Sequence, residues 1–408
     1  MPKSNLSRRG GDTNKKKIYL DYASSALFQS ANPGTIHELG VQEKNKLKNA
    51  RAIVAKILKA QNDEIIFTSG ATESNNLAIL GLVQNFKRPH IVTTNIEHAS
   101  VLEVCRHLGK NKRAEVTYIA VEKNGIVDPK KIKKVLRPNT ILVSVMYANN
   151  EIGTIQPIQE IAREIRHFKK RSQGRSLREF PQGPSFRSDL SAFPFFHTDA
   201  TQAVNYLPVN VEKLGVDLLS FNAAKIYGPK GIGVLYVKKN TPVSKIMFGG
   251  EQEFNFRPGT ENVALALELA KALQIAEKIK AKETKRLTKL RDYFITKLLS
   301  AELIINGDLR NRLPNNVNIT VPKIPSDLLV IELSAKGIMA SAKSACKTGA
   351  GGSYVIKAIR PIQGSTLYDI DSEIGGLRFS LGRRTTKKDI DYTVKSLSEI
   401  LQKLKKWY

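Results

Sequence analysis

Between residues 64 and 237, short apolar runs alternate with segments of helical period. The runs at 65–68, 91–94, 116–119, 141–146, 195–198, 216–221 and 232–237 are rich in β-branched and aromatic residues and read as strands. Segments 74–86, 100–108, 130–136 and 158–170 repeat their apolar positions three and four apart and read as helices. This alternation predicts an α/β domain built on a mainly parallel sheet flanked by helices. In such sheets ligands gather at the carboxyl ends of the strands, so the loops after each strand are where chemistry is expected.

The pattern changes after residue 260. A proline-free helical stretch runs to about residue 299 and reads as a connector to a smaller α+β C-terminal domain. That domain carries a strand at 316–321, a helix at 326–335, a loop around Cys346, a strand at 377–380 and a closing helix at 387–404. The expected organisation is a basic disordered tail at 1–17 and a segment at 18–52 packing on the small domain. A large domain at 53–262 follows, then the connector and small domain at 263–408. Residues 169–194, rich in Arg, Ser, Pro, Gly and Gln, read as a surface insertion in the large domain.

Composition narrows the class. An apolar fraction of 41% suits a soluble globular chain, and no apolar run is long enough to span a bilayer. The first seventeen residues lack the apolar stretch of a secretory signal. Two cysteines, Cys105 and Cys346, exclude a disulfide framework and a cysteine-based zinc site and suit a reducing, cytoplasmic setting. The net charge of +28 is spread along the chain without a nucleic-acid-binding motif, which favours a generally basic surface over a dedicated anionic partner.

Candidate chemistry clusters where strands end. Lys225, in F-N-A-A-K-I-Y-G-P-K-G, sits on a turn between two apolar strands, where a buried ammonium is costly. Conversion to an imine resolves that cost, whereas a solvated turn lysine is the plain alternative. Gly70, Ala71 and Thr72 open a helix and offer backbone N–H groups to a phosphate, or form an ordinary N-cap. His98 could stack on a ring or move protons, or sit on a surface loop. The amides at Asn149 and Asn150 could orient a carboxylate or simply make a turn. Asp199, at a strand end, either pairs with a cation such as a pyridinium or caps the residues after it.

Taken together and in order, these stretches resemble the cysteine desulfurases, class-V members of the fold-type I pyridoxal-phosphate enzymes. The resemblance rests on T-S-G-A-T-E-S-N-N, E-H-A-S-V, A-N-N-E-I-G-T-I-Q-P-I, H-T-D-A-T-Q, K-I-Y-G-P-K-G-I-G, F-R-P-G-T-E-N, S-A-C and R-F-S-L-G-R. It implies pyridoxal 5'-phosphate as cofactor, with Lys225 as its covalent anchor and Asp199 on its ring nitrogen. His98 would stack on the ring and Gln202 would bond the ring hydroxyl. Ala71, Thr72 and Asn222 would lie at the phosphate, with Thr260 reaching that of a neighbouring subunit in a homodimer. Asn150 and Arg378 would hold the substrate carboxylate. L-Cysteine would become L-alanine, its sulfur passing to the Cys346 thiolate and on to an acceptor protein for iron–sulfur assembly or tRNA thiolation. Lys343 and Lys347 beside Cys346 would favour that thiolate. Cys105, in a helical pattern, reads as structural.

The chain departs from the resemblance in places. The family usually has S-G-H-K before the turn, and here it is Asn222-Ala223-Ala224-Lys225. Each lost donor is expected to weaken cofactor binding by about 1–3 kcal/mol. Two rivals follow from the residues: a selenocysteine lyase or other class-V lyase or aminotransferase, and a catalytically weak member acting as a scaffold.

Overall fold

The computed structural model describes residues 20–21, 23–24, 31–172, 193–299, 303–342, 352–360 and 375–406. The tail at 1–17, most of the 169–194 insertion, and Cys346 with Lys343 and Lys347 lie outside them.

Helix α1 (Glu38–Leu58) leads into strand β1 (Ile65–Thr68), helix α2 (Ala71–Val83), strand β2 (His90–Thr94) and helix α3 (Ala99–Lys110). Strand β3 (Glu115–Ile119), helix α4 (Pro129–Val135), strand β4 (Thr140–Ser144) and helix α5 (Ile158–Ser172) continue the alternation. Strand β5 (Phe195–Asp199), helix α6 (Val211–Leu214) and strands β6 (Leu218–Asn222) and β7 (Gly233–Val237) complete the large sheet. Its order is β1-β7-β6-β5-β4-β2-β3. Pairings from β6 through β5, β4 and β2 to β3 are parallel, while β7 runs antiparallel to both β6 and β1. The mainly parallel sheet expected from the alternation is therefore present.

Both faces of this sheet are covered except at the edge strand β3, so its inner strands read as continuous apolar runs rather than alternating ones. Successive residues still point to opposite faces. Phe196, Leu219 and Val234 enter one core, which continues into the C-terminal region. Phe195, Leu218 and Leu235 enter a second core with Leu77 and Leu82 of α2 and Val101 and Cys105 of α3. Burial pushes the Cys105 thiol up to about 12, so it is inert packing rather than a nucleophile.

The long helix α7 (Val263–Leu298) leads to strands β8 (Ile304–Ile305) and β9 (Asn316–Thr320), helices α8 (Ser326–Ala335) and α9 (Tyr354–Ile359), strand β10 (Leu377–Ser380) and helix α10 (Lys387–Leu404). These strands form a small antiparallel sheet, β10-β9-β8. Helix α1 packs along α7 and against β1. Its Arg51 is buried in a two-pronged pair with Glu253, at 2.6 and 2.7 Å, and Glu253 also accepts the Phe67 N–H at 2.8 Å.

The small sheet is tied to the loop after β4. Asn316 and Asn318 of β9 each donate a side-chain N–H to the Glu151 carbonyl at 3.0 Å. Arg378 of β10 donates to the Asn150 carbonyl at 2.8 Å. These bonds bring β10 over the carboxyl edge of the large sheet.

Candidate active site

A cavity of about 510 Å³ opens at that edge. Ala71 and Thr72 reach it from the start of α2, His98 from the loop after β2 and Asn150 from the loop after β4. Asp199 and Gln202 come from the end of β5, Asn222 and Lys225 from the end of β6, and Arg378 from β10. Residues 71 to 225 meet because the parallel strands end there, and Arg378 joins them through its bond to the Asn150 carbonyl.

Lys225 lies on a single 3₁₀ turn, Ala223–Ile226. The Asn222 side-chain oxygen accepts its N–H at 3.2 Å, and Tyr227 closes the turn in the left-handed region at φ 64°. Of the two settings the sequence left open for Lys225, a costly buried ammonium and a solvated turn, the exposure matches the second. The turn faces the cavity instead of the core, so no desolvated ammonium has to be neutralised.

Asp199 is buried, and both of its oxygens are held. Oδ1 accepts the Thr201 N–H at 2.9 Å, and Oδ2 accepts from the Asn75 side chain at 2.8 Å. The capping alternative thus describes one oxygen, while the group as a whole remains a carboxylate on the cavity wall.

His98 caps α3, its Nδ1 facing the Ser100 N–H at 3.2 Å and the Ser100 hydroxyl at 2.8 Å. Two donors at Nδ1 leave the ring proton of neutral imidazole on Nε2. Its neighbour Glu97 is fully buried and clamps this loop to the loop after β4. Its carboxyl accepts the Met146 N–H at 2.9 and 3.1 Å and the Thr94 hydroxyl at 2.6 Å. Burial pushes that carboxyl up to about 8.

The paired asparagines divide their work. Asn149 is the turn former, its oxygen accepting the N–H groups of Glu151 and Ile152 at 2.8 and 3.0 Å. Asn150 is thereby left facing the cavity. Burial lowers the Arg378 pKa from its ordinary value.

Sequence reasoning missed Thr201, Asn315 and Tyr206 in the cavity wall, and Asn75 behind it. The position of Asn75 one helical turn after Ala71 was the available signal, since such residues share a face. Thr260 is not in this cavity. It lines a separate cleft with Thr68, Ser69 and Arg257. Cys346 lies outside the described residues.

The cavity suits a polar ligand that both donates and accepts hydrogen bonds. Asn150 Oδ1, Thr201 Oγ1, Asn315 Oδ1 and Arg378 Nε are buried there without a hydrogen-bond partner among the described residues. Such atoms are costly unless a ligand completes them. The first residues of α2 add a positive helix end without a side-chain cap, suited to a phosphate. A carboxylate (Asp199), a histidine (His98) and an accessible lysine (Lys225) complete the lining. The seven-stranded, mainly parallel sheet and the polar cavity at its carboxyl edge fit the fold-type I class of pyridoxal-phosphate enzymes.

The comparisons agree. The chain belongs to the aminotransferase class-V family, whose profile matches residues 13–171 and 193–393, and within it to the cysteine desulfurases. It is 40% identical to a protein of Dictyoglomus turgidum named cysteine desulfurase IscS, covering 96% of each chain. A protein of the same name from Methanosarcina thermophila is also 40% identical, covering 96% of this chain and 94% of that one. Among solved structures, a NifS-like protein superimposes with a TM-score of 0.79 at 32% identity over 92% of both chains. SspA in complex with cysteine gives 0.68 at 30% identity, over 88% of this chain and 92% of that one. Enzymes of this family depend on pyridoxal phosphate. No helix among the described residues is long and apolar enough to cross a membrane.

Proposed function

We propose that this chain converts L-cysteine to L-alanine with pyridoxal phosphate and passes the sulfur to Cys346 as a persulfide. The observation that carries this reading is the convergence of Lys225, Asp199, His98, Asn150 and Arg378 on one cavity. When bound, pyridoxal phosphate supplies an electron sink for the pair released at the substrate α-carbon.

The protein's own residues do the rest. The Lys225 amine would anchor the cofactor and move protons at the substrate. Asp199, with both oxygens fixed, would keep a proton on the ring nitrogen. Ala71 and Thr72 would hold the phosphate at the start of α2, aided by Asn222, and Gln202 would bond the ring hydroxyl. His98 would lie against the ring and offer its Nε2 proton. The Arg378 guanidinium and the Asn150 amide take the substrate carboxylate.

The Cys346 thiolate then attacks the substrate sulfur. An S–S bond forms, the C–S bond breaks, and the carbon gains the proton that completes alanine. No external oxidant is needed, because the sulfur of one cysteine replaces the proton on the other thiol. A homodimer, in which Thr260 serves the partner's phosphate, and an acceptor protein that discharges the persulfide complete the reading. The separate cleft holding Thr260 supports the first of these.

The test is to incubate the protein with L-cysteine and pyridoxal phosphate, then measure alanine and persulfide. Wild type should yield both, and Cys346→Ala should yield neither with cysteine. Undiminished turnover by Cys346→Ala would remove the mechanism.

A further inference from the structure

Asn75 has no surface exposure and does not line the cavity, yet it touches Asp199, which does, and Ser100, which bonds the cavity residue His98. Its side-chain nitrogen donates one hydrogen to Asp199 Oδ2 at 2.8 Å and the other to Ser100 Oγ at 2.8 Å. The orientation of the amide is settled by its neighbour. An ionised carboxylate only accepts, so the amide must turn its nitrogen to Asp199. Its oxygen is accordingly left buried with no partner among the described residues.

The direction of the next bond follows. Ser100 Oγ already receives a hydrogen from Asn75, so its own hydrogen is free for His98 Nδ1, 2.8 Å away. The chain of donors therefore runs from Asn75 to Asp199 on one side, and through Ser100 to His98 on the other. Its members lie on three separate elements, α2, the start of α3 and the end of β5. Ala71 is on the same face of α2, one turn earlier.

We propose that Asn75 is a positioning residue that sets Asp199 and His98 relative to each other, and so fixes the angle at which the cofactor ring is held. This rests on the reaction proposed above. Helix α2 then locates the phosphate end through Ala71 and Thr72 and the ring end through Asn75, as one rigid body.

The test uses the loaded full-length protein and two substitutions, Asn75→Ala and Ser100→Ala. Asn75→Ala should lower kcat for cysteine desulfuration about tenfold or more, with KM for cysteine little changed. It should also weaken the visible circular dichroism of the bound cofactor, which reports a fixed ring orientation and does not depend on turnover. Ser100→Ala severs only the His98 arm and should lower kcat less. Because the two act through one chain, the double variant should be no slower than Asn75→Ala. A folded Asn75→Ala protein with wild-type kcat and dichroism, or fully multiplicative losses in the double variant, overturns the proposal. Should Asn75→Ala fail to fold, Ser100→Ala decides alone, and an unchanged kcat overturns it. Failure of wild type to make alanine would instead defeat the reaction, while the dichroism comparison would still judge the role of Asn75.

Discussion

Gly233 of β7 lies directly on the backbone of Gly70, and a Cβ built on Gly233 would stand 2.6 Å from the Gly70 carbonyl carbon. Gly70 is the residue from which α2 starts, so this contact seats the helix end proposed to bind phosphate. Gly233 cannot yield, because β7 is paired on both sides, with β1 and β6, so Gly70 must give way. Gly233→Ala should therefore displace the start of α2. We expect cofactor affinity to fall about tenfold or more, measured by fluorescence titration of the apo protein, with a smaller change in thermal midpoint.

The turn before Lys225 offers a gain-of-binding test. Ala224 is exposed and lines the cavity beside Ala71, and its methyl group offers no hydrogen bond. Asn222 spends its oxygen on the Lys225 N–H. Ala224→His should add a donor toward the phosphate and tighten cofactor binding by about 1 kcal/mol, or several-fold, in equilibrium dialysis. No change in affinity would show that residue 224 does not face the phosphate.

The strand ends and the helices that follow them were legible because a sheet buried on both faces writes its strands as unbroken apolar runs. The helix Ser326–Ala335, the strand Leu377–Ser380 and the helix Lys387–Leu404 match the sequence reading to the residue. Helix α1 was not read, because its buried face includes Glu43 and Arg51 among Leu47, Val54 and Leu58, and those charges break the apolar stripe. The reversed direction of β7 leaves no mark in its composition. In the site, most candidate side chains were legible from their places after strands. Asn75 was not, since its partners Ser100 and Asp199 are 25 and 124 residues away. The exposure of Lys225 was also hidden, because apolar flanks say nothing of a turn that opens on a cavity.

Arg378 donates one Nη to the Asn150 carbonyl at 2.8 Å, while its buried Nε has no partner among the described residues. This leaves part of a planar fork for a carboxylate. Arg378→Lys keeps the charge but loses the fork and cannot make both contacts. KM for cysteine should rise about 10- to 100-fold, with a smaller change in kcat, and cofactor affinity should hold. A fall in kcat at unchanged KM would place Arg378 outside substrate binding.

His197 is fully buried in β5, its Nδ1 at 2.8 Å from the Ser144 hydroxyl and its Nε2 at 3.0 Å from that of Ser220. Burial pushes its pKa down from 6.5 to about 4, so the folded ring stays neutral where the unfolded one takes a proton. Between those values the unfolded chain binds more protons, and stability rises with pH. The contribution is fully present above about pH 6.5 and is lost as pH falls toward about 4. From pH 7 to pH 5 this group alone should cost about 2 kcal/mol. His197→Gln has no proton to take in that window. Its unfolding free energy, measured by urea titration, should be lower than wild type at pH 7 but fall less steeply on acidification. Parallel pH profiles for the two proteins would mean that His197 is charged in the folded state, and the burial argument would fail with it.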